Sequence, residues 1–252
     1  MIYRKVEKMP KFFISDSKFK ISDTIEITGD DAHHISKTLR MKDGDELVVT
    51  SSDGVDYHCT IEGFSSSSVY LKVCDVRKSE VEGSVKISLF QALAKGDKME
   101  TVIQKCIELG VYEIYPVATE RCVVKLDQDT IKKKTQRWNK IALEASKQCG
   151  RGIVPRVHDT IDFKKCVELL SRLDKRFFCY ELEDGKTIKD VISSKDFSTA
   201  GFFIGPEGGI SPAEVEYAIS QGIEAVSLGK LILRTETAGP TVMAMLLYET
   251  QL

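Results

Sequence analysis

Residues 200–236 read AGFFIGPEGGISPAEVEYAISQGIEAVSLGKLILRTE, and their alternation of apolar runs and glycine breaks decides the fold. Phe202-Phe203-Ile204 has the length and composition of a buried strand, and Gly205-Pro206-Glu207-Gly208-Gly209 ends it abruptly. Glycines there permit positive φ and close backbone approach to a ligand. Ser211, Pro212 and Glu214 spell a helix start: an N-cap, a proline at the first helical position and an acid closing a capping box. Val215, Ala218 and Ile219 give that helix an apolar stripe, and Gly222 stops it. A second buried strand at 225–228 runs into Gly229, and Leu231-Ile232-Leu233-Arg234 leads to the last helix. This is the grammar of an α/β sheet with a ligand at the carboxyl ends of its strands. Either loop alone reads as ordinary turn chemistry. The pair is harder to dismiss, because a parallel sheet puts both on one edge. Neither loop matches G-x-G-x-x-G or the phosphate-cradling loop that ends in Lys-Ser/Thr, which disfavours a dinucleotide or a nucleoside triphosphate.

Upstream, the same grammar reaches back to Val85. A strand at 85–89 precedes a helical face of Met99, Val102, Ile103, Cys106 and Ile107 that ends at Gly110. A strand at 111–117, helices over 131–149 and 163–173, and a strand at 177–182 continue the alternation. It predicts a mostly parallel sheet with helices on both faces. Residues 1–78 differ. Five short strands, near 11–14, 24–28, 46–50, 57–61 and 69–76, surround one small helix carrying Ile35 and Leu39, which suggests a small barrel or sandwich. Residues 78–84 are polar and lack periodicity, so the domains are placed at 1–78 and 79–252.

The 252 residues carry a formal net charge of -2, which argues against a wholly basic nucleic-acid coat but allows a local basic patch. Such a patch exists between Arg121 and Arg156: Lys125, Lys132, Lys133, Lys134, Arg137, Lys140, Lys147 and Arg151 lie between them, opposed only by Asp127, Asp129 and Glu144. A solvated helix face explains such a run, and so does a phosphate backbone as partner. Lys147 and Arg151 share a face if the helix extends that far. Trp138 reads either as core or as a stacking platform for a base. Seven cysteines are spread singly with no C-x-x-C, and the histidines are adjacent (His33, His34) or isolated (His58, His158), so no metal site is expected. The segment 1–13 lacks a signal peptide's apolar core, and the longest apolar stretch, 242–248, is short of a membrane span, so a cytoplasmic protein is expected.

IGPEGGIS and SLGKLILRTETA, with KGDKMETVIQKCIELGV at 95–111, EIYPV, Arg121, EASKQCGRGIVP at 144–155, and the amino-terminal KFF and HHISKTLRMKDGDEL, carry a resemblance. The chain resembles the SPOUT-superfamily 16S ribosomal RNA (uracil-N3)-methyltransferase family, from about Met9 onward. The resemblance implies a PUA-like RNA-binding β-barrel, an α/β SPOUT domain with a carboxyl-terminal trefoil knot, and a homodimer sharing its RNA site. It implies S-adenosylmethionine as cofactor, with Ile204, Gly205, Glu207 and Gly208 as one wall, Leu228, Gly229, Ile232 and Leu233 as the other, and Leu182 beside them. The partner is then 16S ribosomal RNA or the small ribosomal subunit, met by Arg121, Lys133, Lys134, Arg137, Lys147 and Arg151. Gly239 and Pro240 depart from the alanine-like residues of the family and leave the start of the last helix open.

Poverty of acid–base machinery fits a cofactor that brings its own activated methyl group. The implied nucleophile, uracil N3, lies on the Watson–Crick edge and must be unpaired to react. Arg234 is the candidate for stabilising negative charge on the uracil oxygens, against the alternative of a salt bridge pinning the last helix. Glu207 or Glu236 orients Arg234 or assists the departing proton. Two competing readings are a silent RNA-binding or ribosome-assembly factor, and a SPOUT enzyme with another RNA target.

Overall fold

Lys11–Ile14 (β1), Thr24–Thr28 (β2), Glu46–Ser51 (β3), Val55–Phe64 (β4) and Ser68–Lys78 (β5) form one sheet in the order β1-β3-β4-β5-β2. These come from a computed structural model that describes residues 9–14, 18–122, 127–193 and 196–251. Residues 1–8 of the amino-terminal segment and Lys125 of the basic segment lie outside the described residues. The β1–β3 pairing is parallel and the others antiparallel. The period of two places Ile25 and Ile27 of β2 on the inner face beside Leu47, Val49, Tyr57 and Leu71. Gly29–His33 (α1) and a π-helical turn, His34–Thr38, add Ala32 and Ile35 to the same core. With β1 and β2 at its two edges, the sheet is an open half-barrel.

In the second sheet, Lys86–Ala92 (β6), Glu113–Ala118 (β7), Arg156–Val157 (β8), Ile161–Asp162 (β9), Lys175–Cys179 (β10), Thr199–Ile204 (β11) and Glu224–Val226 (β12) pair throughout in parallel. Their order is β12-β10-β11-β6-β7-β8, with β9 also on β7. The intervening helices are Lys98–Glu108 (α2), Gln128–Cys149 (α3), Phe163–Leu170 (α4), Ile188–Val191 (α5), Pro212–Ser220 (α6) and Thr235–Gln251 (α7). Six consecutive residues of β6 and five of β11 are buried, so both faces of the central strands are covered. Helix α4 packs closely because Gly201 of β11 has no side chain. A Cβ there would lie 2.9 Å from Leu170 Cδ2 of α4 and 2.3 Å from Leu173 Cδ1 just beyond it.

Several boundaries differ from the expectation, each for a local reason. Helix α4 ends at Leu170, where Ser171 Oγ turns back to the Glu168 carbonyl. Strand β12 stops at Val226, and Ser227 makes only an isolated bridge to Thr187. Helix α7 begins at Thr235 because the Arg234 carbonyl accepts from Ala238 N at 2.9 Å. Pro240 therefore sits in the second turn, where it removes a helical donor, rather than in the tolerated first turn. Cys106 is fully buried, and burial pushes its thiol well above the ordinary range, as befits a small core residue.

The chain divides into two compact units, Met1–Glu82 with Gly150–Val154, and Gly83–Cys149 with Pro155–Leu252. The return of 150–154 to the first unit has a physical cause. Gly150 leaves α3 in the left-handed region at φ 78, and Arg151 follows at 6% exposure. Its guanidinium donates to Glu82 from Nε at 2.9 Å and Nη2 at 2.7 Å, and Gly152 N donates to the same carboxylate at 2.7 Å. A Cβ at Gly152 would lie 2.4 Å from Ser79 Oγ, so glycine permits this approach. Burial works against the Glu82 charge, but the hydrogen bonds from Arg151 and the backbone hold its carboxyl below the usual range.

Removing Glu82 takes these bonds from a buried guanidinium, so Glu82→Ala is expected to cost about 3 kcal/mol, the low end for a broken buried pair. Pairing it with Arg151→Ala costs less than the sum of the two. The contribution is full above the ordinary glutamate pKa and fades as pH falls through the depressed one. Urea unfolding of the four proteins at pH 7 and pH 3.5 checks this, the Glu82→Ala penalty shrinking at the lower pH.

Candidate active site

Strands β12, β10, β11 and β6 are neighbours and parallel, so their carboxyl ends share one edge. Four connections emerge there: 93–97 after β6, 180–187 after β10, 205–211 after β11 and 227–234 after β12. Both glycine loops and Leu182 lie on this edge. It exposes apolar side chains, with Leu182, Leu231 and Ile232 at 75%, 80% and 86% exposure, while Ile204 stays buried at the strand end.

The loop after β11 is shaped by its small residues. Gly209 takes φ 71, and a Cβ on it would come within 2.7 Å of Glu181 Oε1. Gly205 and Gly208 keep ordinary φ values and serve close approach: a Cβ at Gly205 would lie 2.9 Å from Ile210 Cγ1. The capping box is formed, Ser211 Oγ accepting from Glu214 N and the Glu214 carboxylate from Ser211 N. Glu214 Oε1 also accepts from Glu120 N at 3.0 Å, and Arg121 Nη1 donates to the Gly208 carbonyl at 3.2 Å. Arg121 is thus part of the loop's support.

A buried polar pin ties this loop to α7. Thr235 Oγ1 donates to the Gly205 carbonyl at 2.8 Å and accepts from Gln91 Nε2 at 2.9 Å. Gln91 is fully buried on β6, and Thr235 is 6% exposed. One hydroxyl therefore fixes the first glycine loop, β6 and the start of α7 together.

Just outside the pin, Lys98 joins the two acidic candidates. Its Nζ lies 3.0 Å from Glu207 Oε1 and 3.4 Å from Glu236 Oε2. Lys95 N also donates to Glu207, at 3.3 Å. Burial opposes the Glu207 charge, but the Lys98 hydrogen bond and backbone amides hold its carboxyl below the usual range. The hydrogen bond to Glu207 raises the Lys98 ammonium above its own. Lys98 was absent from the sequence-derived site. Its position in the first turn after a parallel strand was the available signal, since that places it on the ligand edge.

Arg234 is exposed and makes no ion pair among the described residues, so the helix-pinning alternative finds no partner for it. Only its carbonyl works on the helix, accepting from Thr237 N and Ala238 N. Leu228 and Gly229 line a cavity of about 330 Å³ with Ile188, Ile192, Met245 and Tyr248. Ile204, Gly205, Glu207, Gly208, Leu182, Ile232 and Leu233 lie outside that cavity.

The basic residues have different partners. Lys133 is exposed on α3, Lys134 lies over the Trp138 ring, Arg137 pairs with Glu100 at 2.7 Å, and Lys147 lies 3.8 Å from Glu144. Trp138 is 2% exposed and is a core residue. Arg151 corrects the expectation of a shared face with Lys147: α3 ends at Cys149, and its guanidinium is buried on Glu82, turned away from solvent. Among the described residues no group of three or more His, Cys, Asp or Glu could hold a metal, and no helix is long and apolar enough to cross a membrane.

Comparison with known proteins places this architecture. Residues 81–247 match the model of an RNA methyltransferase domain, and residues 27–74 that of an RNA methyltransferase PUA domain. The ribosomal RNA small subunit methyltransferase E of Bacillus subtilis (strain 168) is 36% identical over 97% of this chain and 98% of its own. The chain belongs to the ribosomal RNA small subunit methyltransferase E family. The solved Neisseria gonorrhoeae methyltransferase E bound to S-adenosyl methionine superposes with a TM-score of 0.84 at 27% identity, covering 96% of this chain and 98% of that one. A Legionella pneumophila protein solved with the bound cofactor SAM gives 0.85 at 30% identity, with the same coverage. Family membership makes the chain a methyltransferase of the SPOUT fold with a PUA domain.

Because Thr235 carries the pin, Thr235→Val, which keeps the shape and deletes the hydroxyl, leaves the Gly205 carbonyl without this donor and Gln91 short of an acceptor. It is expected to destabilise this methyltransferase by about 2 kcal/mol. Thr235→Ser is expected to keep most of that stability, which urea unfolding of both variants measures.

Proposed function

We propose that this protein transfers the methyl group of S-adenosylmethionine to N3 of a uridine in 16S ribosomal RNA, acting in the cytoplasm as a homodimer on the RNA or the small subunit. The observation that carries this reading is that the matched methyltransferase region, 81–247, contains all four connections on the ligand edge. In the two relatives solved with the cofactor, the named ligand is S-adenosyl methionine. Here the exposed Leu182 and Ile232, the backbone of Ile204, Gly205 and Gly208, and Leu228, Gly229 and Leu233 are proposed to hold it, with Glu207 bracing the loop. Ile210 packed on Gly205 and the pinned Gly205 carbonyl fix the loop's main chain, which fits a cofactor read mainly by main-chain groups.

The cofactor supplies an activated methyl group. The protein aligns it with an unpaired uracil and screens the charge that develops on the base. The unpaired Arg234 guanidinium, at the junction of the second glycine loop and α7, is proposed to face the uracil oxygens. The domains are read as a PUA-like RNA-binding barrel, 1–78, and a SPOUT domain, 79–252, whose carboxyl-terminal part threads a trefoil knot. Arg121 acts by supporting the glycine loop; Lys133, Lys134, Arg137 and Lys147 offer charge to phosphates.

Nucleoside analysis of ribosomal RNA from a strain lacking the gene tests this directly: 3-methyluridine disappears from small-subunit RNA and returns with the wild-type gene. Complementation by Arg234→Ala is expected to restore it at least a hundredfold more slowly, with cofactor affinity little changed. Persistence of 3-methyluridine in the deletion strain refutes the assignment.

A further inference from the structure

Loss of the N3 proton requires an acceptor, and the two carboxylates at the loops differ in what already occupies them. Glu207 Oε1 takes Lys98 Nζ at 3.0 Å and Lys95 N at 3.3 Å, so its charge is spent on holding the loop to the start of α2. Glu236 Oε2 is buried without a hydrogen bond, its cation contact being Lys98 Nζ at 3.4 Å, yet the side chain keeps 21% exposure. Its position in the first turn of α7 also places the carboxylate near the helix's positive end, and that turn is fixed from behind by the Thr235 pin. The Glu236 carboxylate is therefore held at the loop edge with lone pairs left over. Lys98 is what holds it.

We infer that Lys98 is a positioning residue that ties up Glu207 and presents Glu236 as the acceptor of the uracil N3 proton. The inference rests on the proposed methyl transfer to uridine. In the step, the N3–H bond breaks and its proton passes to the Glu236 carboxylate. The nitrogen electron pair forms the N–CH3 bond while the S–CH3 bond breaks, its electrons returning to sulfur. A sulfonium becomes a neutral thioether, and Glu236 later yields its proton to water. Among the described residues the groups that meet the two carboxylates are Lys98 Nζ and the Lys95 amide; Arg234 stands two residues before Glu236 in the chain, and Cys106 of α2 packs on α7 at Gly239.

The geometry has a distinctive consequence. Glu207 approaches one ammonium from the loop after β11 and Glu236 from the first turn of α7. Without that ammonium two like charges remain close, and the proton affinity of the pair rises. Lys98→Met should then slow methyl transfer about a hundredfold at pH 7, within the usual range for general base catalysis, and move the pH profile of the rate upward. The rate should partly recover as pH increases. Lys98→Arg, which retains the charge, should recover most of the activity and the original pH profile. Glu236→Gln should lose at least a hundredfold at every pH, whereas Glu207→Gln should chiefly raise the KM for cofactor.

Single-turnover methylation of small subunits from the deletion strain, with S-adenosylmethionine saturating and pH varied from 6 to 9, reads these effects. Calorimetric cofactor binding and a melting curve on each variant separate them from misfolding. A Lys98→Met protein with the wild-type rate and pH profile overturns the inference, as does an active Glu236→Gln beside an inert Glu207→Gln. Wild-type protein that makes no 3-methyluridine overturns the methyl-transfer reading itself, and this inference with it.

Discussion

Parallel pairing of β12, β10, β11 and β6 is the constraint on which the site depends. Parallel neighbours need crossover connections, and the crossovers leave every carboxyl end on the same edge. Four segments that are far apart in sequence thus arrive together. No side chain at the site would matter without this alignment. The near-continuous burial of β6 and β11 shows why the strands accept it: residues such as Ile87, Leu89, Phe202 and Phe203 are covered on both faces.

Alignment of strands does not by itself fix loops, and here polar ties do. Thr235 links Gly205 to Gln91, Lys98 links Glu207 to Glu236, and Arg121 holds the Gly208 carbonyl. The Thr235–Gln91 tie is buried, where hydrogen bonds are costly to break and so enforce geometry. The Lys98 ties are partly exposed and contribute less to stability. Their value lies in keeping two carboxylates in a defined arrangement about one ammonium. The glycines between these ties keep the main chain accessible, as the proposed backbone reading of the cofactor requires.

Much of this was legible in the sequence, and the reasons are specific. The apolar runs at 85–89 and 202–204 and the Ser211-Pro212-Glu214 signal mark buried strands and a helix start because burial and capping are local demands. The glycine loops were visible for the same reason. Lys98 was not, because its meaning lies in Glu207 and Glu236, partners distant in sequence, one from a loop and one from the first turn of α7. Gln91 and Thr235 were overlooked likewise, although a glutamine inside an apolar strand was a signal for a buried hydrogen bond. Arg151 was counted with the basic segment, since charge counting cannot tell a solvated cation from one buried on Glu82. The Gly150 turn, at φ 78, was the clue to that break.

The central claim is that the carboxyl edge of the parallel sheet, with both glycine loops, receives the cofactor. Hydrogen–deuterium exchange of the wild-type protein with and without S-adenosylmethionine tests it most directly. The account predicts added protection in both 205–211 and 227–234, with the half-barrel strands of 11–78 unchanged. Cofactor binding that leaves both loops exchanging at their free rates would contradict it.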